Sequence, residues 1–147
     1  MILFRFISTV CFIGYSPVAP GTFGTLAAFI FMYFIRPQAD LHLILFLLLI
    51  PVGIVSSEHE EKFSGKKDPR HVVIDEFAGY IASLLFLPLS PKYMVAAFIL
   101  FRIFDIVKPP PIRRIERLKS GLGIMADDIM AALFTNAVLQ VWRFLSI

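Results

Sequence analysis

Five carboxylates stand in this chain where an apolar sequence gains least from carrying them. Asp75 and Glu76 are adjacent within Val72-Val73-Ile74-Asp75-Glu76-Phe77-Ala78-Gly79-Tyr80. Asp105 interrupts Phe101-Arg102-Ile103-Phe104-Asp105-Ile106-Val107, and Asp127 and Asp128 close Gly121-Leu122-Gly123-Ile124-Met125-Ala126-Asp127-Asp128. Each has an ordinary explanation taken singly. Acids in a first helical turn gain ~0.3–1 kcal/mol from the macrodipole, which would cover Asp75 with Glu76 and Asp127 with Asp128 if helices begin there. Asp105 falls near the C-terminal end of its apolar run, where the dipole disfavours an anion, and its bland account is an ion-paired triad with Arg102 and Lys108, one turn to either side. If all five share one face, however, they would repel one another strongly in a poorly hydrated site. A hard divalent ion such as Mg²⁺ or Mn²⁺ removes that difficulty and acts on phosphoryl oxygens. Arg102, Lys108, Arg113 and Arg114 are the cations able to clamp a phosphate beside it. Zinc is disfavoured, because three histidines and one cysteine show no ligand spacing.

A second feature of the same kind lies upstream. In Gly14-Tyr15-Ser16-Pro17-Val18-Ala19-Pro20-Gly21-Thr22-Phe23-Gly24-Thr25 two prolines stiffen the approach to an apolar run, Thr22 is a suitable N-cap, and a helix N-terminus there could hold an anion. The simpler alternative is a capped helix in which Gly24 permits close packing.

The elements that must position these residues are helices. Apolar runs at 23–35, 41–55, 77–89, 93–107 and 129–147 show no strand alternation or hairpin signal, so the chain reads as an all-α domain, a compact bundle of about six helices over residues 1–147. Arg36-Pro37-Gln38, Pro88-Leu89-Ser90-Pro91 and Pro109-Pro110-Pro111 break it. Apolar residues make up 58% of the sequence against the ~45–50% of soluble domains, so a bundle embedded in or deeply seated on a membrane is expected. Runs this short fall below the ~20 residues of a full span, and some spans are expected to be incomplete. The connection at 56–76 reads as a solvated helix extension and turn.

Lys62, Lys66, Lys67 and Arg70 fall in one connection, and Lys108, Arg113, Arg114, Arg117 and Lys119 in another, whereas Arg36 and Lys92 stand alone in the turns between. Both basic connections are therefore cytoplasmic by the positive-inside rule, and loops 14–22, 56–76 and 108–128 share a face. No basic helix is free of the apolar runs, which argues against nucleic acid as a partner. Cys11 has no partner for an internal disulfide and reads as a small buried hydrophobe. Residues 1–13 lack a small-residue cleavage site, so no removable signal peptide is expected.

On these residues the sequence resembles the phosphatidylglycerophosphatase A family in three ordered blocks, from Ser16-Pro17 to Ala28, from Asp68 to Gly79 and from Phe101 to Asp128. The resemblance implies an all-helical, Mg²⁺-dependent phosphomonoesterase of the bacterial inner membrane that acts on phosphatidylglycerophosphate from the cytoplasmic side. It implies Asp75, Glu76, Asp105, Asp127 and Asp128 as the metal and catalytic set, Lys108 and Arg113 as the basic positions of a Lys-Pro-x-Pro-Ile-Arg motif, and Gly21, Thr22 and Gly24 as the first loop. Pro110 stands where the family often has Trp and Ser120 where it often has Gly. Three readings remain distinct: this phosphatase, a phosphatase of another lipid phosphate such as phosphatidate or a polyprenyl phosphate, and a divalent-cation transporter. The transporter reading requires acids spread through the membrane depth. Within the enzymatic readings, either a carboxylate activates water or an aspartate attacks phosphorus directly. The oligomeric state is left open by the sequence.

Overall fold

The computed structural model describes residues 2–115, 117, 118 and 120–146; Lys119 of the second basic connection lies outside them. Among the described residues the regular structure is helical: α1 (Ile2–Ser8), a single 3-10 turn (Ile13–Tyr15), α2 (Pro20–Ile35), α3 (Ala39–Ser64), α4 (Ile74–Ser83), α5 (Pro91–Val107), α6 (Ile112–Ile115) and α7 (Ser120–Leu145). The all-α bundle is as expected, with seven helices among the described residues rather than about six, because Ile112–Ile115 add a short one inside the expected loop.

The helix extension expected after Val55 is present but is not wholly solvated: α3 runs through Ser56-Ser57-Glu58-His59-Glu60-Glu61 to Ser64, and Gly65, at φ 65°, closes it. Burial supports the extension, since Ser56, Ser57 and Glu60 all face inward. α7 begins at Ser120 rather than near residue 129. Both helices have 26 residues and rise about 39 Å, more than the ~30 Å hydrocarbon core, so neither is too short to span. Only 17% of the most apolar stretch of α3 is buried inside the protein. A core helix of a soluble domain would be covered, so this surface belongs against lipid. Leu41, Ile44, Leu47, Leu48, Val52 and Val55 line it, and Phe34, Ile99, Ile103, Val141 and Phe144 continue the exposed apolar surface on other helices. Pro51 inside α3 is tolerated as in other membrane helices. The protein is a membrane protein.

The short helix α4 is the centre of the bundle. Eight of its ten residues are buried, and α2, α3, α5 and α7 all pack on it. At about 15 Å it reaches only half the depth of a bilayer core. It ends at Ser83, ahead of Pro88: Leu84 and Leu85 N–H bond back to Ile81 and Ala82 O, His42 Nε2 of α3 lies 2.8 Å from Ile81 O, and α7 supplies donors to Ser83 and to the turn that follows. Asn136 Nδ2 donates to Ser83 O at 3.0 Å and to Leu85 O at 2.9 Å, Gln140 Nε2 donates to Leu85 O, and Arg143 Nη1 donates to Phe86 O. Carbonyls left bare at this depth would be costly, and these side chains are why the helix can stop there. Gly79 lets α5 close on α4, because a Cβ there would lie 2.6 Å from the Phe101 ring.

At the other end of α4 the N-terminal segment folds over the bundle. Buried Glu60 receives Arg5 Nε at 3.3 Å and lies 2.9 Å from His71 Nε2, while Tyr15 stacks on His71. Val73 N–H donates to Ser8 O, and Gly14 sits so close to the His71 carbonyl that no side chain fits. α1 and its turn thus fix the connection 65–73, from which α4 starts. Cys11 lies in that turn and is exposed rather than buried, because the backbone doubles back at Val10-Cys11-Phe12, all at positive φ.

Candidate active site

All five carboxylates meet in one cavity of about 390 Å³ at the end of the bundle where α2, α4 and α7 begin and α5 ends. Its wall combines Ala19, Pro20 and Gly21 with Asp68, Arg70 and Val72, then Asp75, Glu76, Arg102, Asp105, Lys108, Ile124, Asp127 and Asp128. Asp75 and Glu76 occupy the first turn of α4, as the sequence indicated. Asp127 and Asp128 do not open a helix: α7 has no acid in its first turn, and the pair lies two turns inside it. The capping account fails for them, which leaves the cavity as the reason for their presence. Asp105 is on the last turn of α5, and Lys108 follows at φ 45°, turning the chain back so that its side chain joins the site.

The five acids divide by their partners. Asp105 Oδ2 accepts from Arg102 Nη1, and Asp127 Oδ2 accepts from Lys108 Nζ at 2.6 Å while its Oδ1 accepts the Asp128 N–H. Arg102 also lies 3.9 Å from Glu76 Oε1. The other three each keep one buried oxygen without a hydrogen-bond partner: Asp75 Oδ1, Glu76 Oε2 and Asp128 Oδ2. Those same three residues can bring one carboxylate oxygen apiece within 4.8 Å of one another. A buried acceptor without a partner costs about 1–3 kcal/mol, more when charged, so three converging on one point are poorly explained by folding stability. A divalent ion with oxygen ligands fits the set.

Charge is held there under strain of the electrostatic kind. Burial, reinforced by the charge of Glu76, lifts the Asp75 carboxyl well above the ordinary carboxylate range. Burial also raises Glu76, to about 7; Asp105 adds to the rise and Arg102 opposes it. Without a cation, the fold therefore favours a proton on this pair.

The first-loop residues separate. Gly21 lines the cavity at the start of α2, and a Cβ there would collide with the Glu76 carboxylate. Thr22 is not the N-cap: Ala19 takes that position at φ 46°, Pro20 opens the helix, and Thr22 lies in the first turn with its N–H bonded to Ala19 O. Gly24 faces Val73, where a Cβ would be 2.8 Å from the Val73 Cβ, so its part is to let α2 approach the start of α4. Arg102 and Lys108 are in the site, whereas Arg113, on α6, lines a neighbouring cavity. Two cavity residues escaped the sequence reading, Asp68 and Arg70, which looked like part of a solvated turn. Asp68 adopts φ 48° and its N–H donates to Glu61 Oε1, which holds the turn at the exposed rim of the cavity. The only signal in the sequence was its place at the head of the second matching block.

The phosphatidylglycerophosphatase A family model matches residues 6–143. A Bacteroides thetaiotaomicron protein, provisionally named a phosphatidylinositol-3-phosphatase, is 40% identical over 89% of this chain and 87% of its own. Proteins named phosphatidylglycerophosphatase A from Escherichia coli and Haemophilus influenzae are 37% and 38% identical, over 86% and 84% of this chain and 75% and 80% of theirs. No solved structure matches the chain.

Proposed function

This chain belongs to the phosphatidylglycerophosphatase A family and is a phosphatase, and from that premise we propose that it hydrolyses the terminal phosphomonoester of phosphatidylglycerophosphate, using Mg²⁺, to give phosphatidylglycerol. The observation that carries the reading is the trio of unpartnered buried oxygens on Asp75, Glu76 and Asp128, beside cations already held in place. These three residues would hold the ion, which supplies Lewis-acid polarisation of a phosphoryl oxygen and favours deprotonation of water. Mn²⁺ satisfies the same donor set.

The chain's own part is to position and to balance charge. Asp105 orients Arg102 and Asp127 orients Lys108, so both cations reach the cavity as preorganised donors for the equatorial phosphoryl oxygens. The N-termini of α2 and α4 point into the same space and favour an anion there. A carboxylate of the cluster takes the proton of the attacking water as its oxygen bonds to phosphorus; the bond from phosphorus to the glycerol oxygen breaks, and that oxygen takes the proton from the carboxyl group to leave as the alcohol. Burial of the acids raises their affinity for a proton, which suits that task at neutral pH.

The cavity's position supports work from one side of the membrane. Lys62, Lys66, Lys67, Arg70, Lys108, Arg113, Arg114 and Arg117 lie toward its end of the bundle, and Arg36, Lys92 and Arg143 toward the other. The proposed orientation puts the cavity on the cytoplasmic face of the bacterial inner membrane. Acids gathered at one end, rather than distributed through the depth, disfavour a transporter. A second phosphatase reading, hydrolysis of phosphatidylinositol 3-phosphate, is favoured by the name of the Bacteroides relative.

The test is phosphate release by purified protein from phosphatidylglycerophosphate, phosphatidylinositol 3-phosphate and phosphatidate, with and without Mg²⁺, repeated for Asp105→Asn and Asp128→Asn. We expect Mg²⁺-dependent release, greatest with phosphatidylglycerophosphate, and a loss of about 100-fold or more in each variant, the scale of removing a preorganised charged group. Full activity in both variants would end the assignment of this site. Equal turnover on all three lipids would end the narrow substrate assignment. Radiolabelled phosphate retained on denatured protein would replace direct water attack by an aspartyl-phosphate route.

A further inference from the structure

A second cavity, of about 320 Å³, opens beside the first and shares Asp68, Ile124 and Asp127 with it. Its character is different. Where the first is walled by six carboxylates against three cations, the described lining of the second adds Lys67, Arg113 and Arg117, together with Leu118, Ser120 and Gly123. Of its two acids, Asp127 already accepts from Lys108. The three cations come from separate places in the chain, the connection after α3, the start of α6 and the segment leading into α7, and they converge on one hollow. Three exposed cations face two acids here, and with Asp127 engaged by Lys108 the hollow keeps an excess of positive charge that suits an anion. Guanidinium groups, with forked donors, match a phosphate better than any carboxylate here could.

We propose that this second cavity binds the phosphodiester of the substrate headgroup while the acidic cavity holds the phosphomonoester, so that the protein selects lipids carrying both groups on one polyol. The inference rests on the lipid-phosphatase reading above and adds a determinant of specificity to it. Phosphatidylglycerophosphate and phosphatidylinositol 3-phosphate both carry a phosphodiester and a phosphomonoester on a single polyol. Phosphatidate carries only the monoester. The shared wall at Asp127 and Ile124 sets the two anionic groups side by side, and the Asp127–Lys108 pair lies at the divide between them.

The experiment compares kcat/KM on short-chain phosphatidylglycerophosphate and short-chain phosphatidate for the full-length protein, for Arg117→Gln and for Lys67→Gln with Arg117→Gln. The expected result is a fall of about tenfold or more in the ratio of the two constants, carried by KM for the two-phosphate lipid, as a charge-assisted hydrogen bond is lost. Arg117→Lys should restore part of the ratio if charge matters, and a shift in thermal stability alone does not produce a substrate-dependent change. An unchanged ratio, or equal losses on both lipids, overturns the second site. Release of phosphate from neither lipid by the parent protein would instead sink the phosphatase reading, so the two failures are distinguishable.

Discussion

Replacing Glu76 by Gln should stabilise the protein while disabling it. The Glu76 carboxylate is buried beside Asp75 and Asp128, with acid oxygens that reach within 4.8 Å of one another. At an effective dielectric of ~20, two unit charges at that separation repel by about 3 kcal/mol. The raised pKa gives a separate magnitude, set first by burial: from 4.5 to about 7, at ~1.36 kcal/mol per pH unit, is also about 3 kcal/mol. The sign follows from which form the fold favours. The protonated acid is preferred in the native state, so metal-free protein is most stable below pH 4.5, and loses this increment as pH rises through about 7. Gln carries no charge to repel and keeps the size of the side chain. In chelator at pH 8 the variant should therefore melt roughly 6–12 °C above the parent, on the scale of ~2–4 °C per kcal/mol for a chain of this size, and the difference should vanish near pH 4.5. Mg²⁺ at about a hundred times its dissociation constant should return about 2.7 kcal/mol to the parent and less to the variant. The assay is thermal unfolding in detergent, followed by the single tryptophan, Trp142, in parallel with phosphate release. A variant that melts at or below the parent in chelator at pH 8, or one that hydrolyses lipid at the parent's rate, would refute the reasoning.

Two further substitutions probe the scaffold rather than the site. Gly79→Ala places a methyl 2.6 Å from the Phe101 ring and 3.2 Å from the Asp128 carbonyl, so overpacking should cost about 1–3 kcal/mol and shift Asp128; thermal unfolding with Mg²⁺ present reads the first and the Mg²⁺ midpoint for activity the second. Asn136→Leu strips the donor from the Ser83 and Leu85 carbonyls, which should lower stability by about 1–3 kcal/mol while leaving the acidic cavity's residues in place, and denaturation in detergent checks it.

The helices were legible because apolar runs and prolines punctuate them, and the five acids because one shared site accounts together for what capping and ion pairing explain only singly. Other features depended on tertiary partners. Ser56 to Ser64 looked like a solvated connection since its polarity was visible and the Arg5 and His71 that bury Glu60 were far away in sequence. Asp127 and Asp128 seemed to open a helix, because Ser120 to Ala126, with its two glycines, reads as a loop until α3 packs along it; Gly121 lies against the Ile54 carbonyl with no room for a side chain. Thr22 had the chemistry of an N-cap, but Pro20 fixes the helix start two residues earlier. Asp68 and Arg70 could not be placed in the site from composition, since what sets them at the cavity rim is a positive φ at Asp68 and the Glu61 contact to its amide.

The blunt end of α4 sets an order of events during synthesis. The Ser83 carbonyl and the turn after it wait for Asn136, Gln140 and Arg143, more than fifty residues further along the chain. Until α7 has left the ribosome and entered the bilayer, the helix carrying Asp75 and Glu76 has only His42 of α3 at its inner tip and no Asp128 at its outer one. A nascent chain released before that point would own two of the three acids proposed to hold the ion and lack the third, so competence as an enzyme is expected only with the final helix.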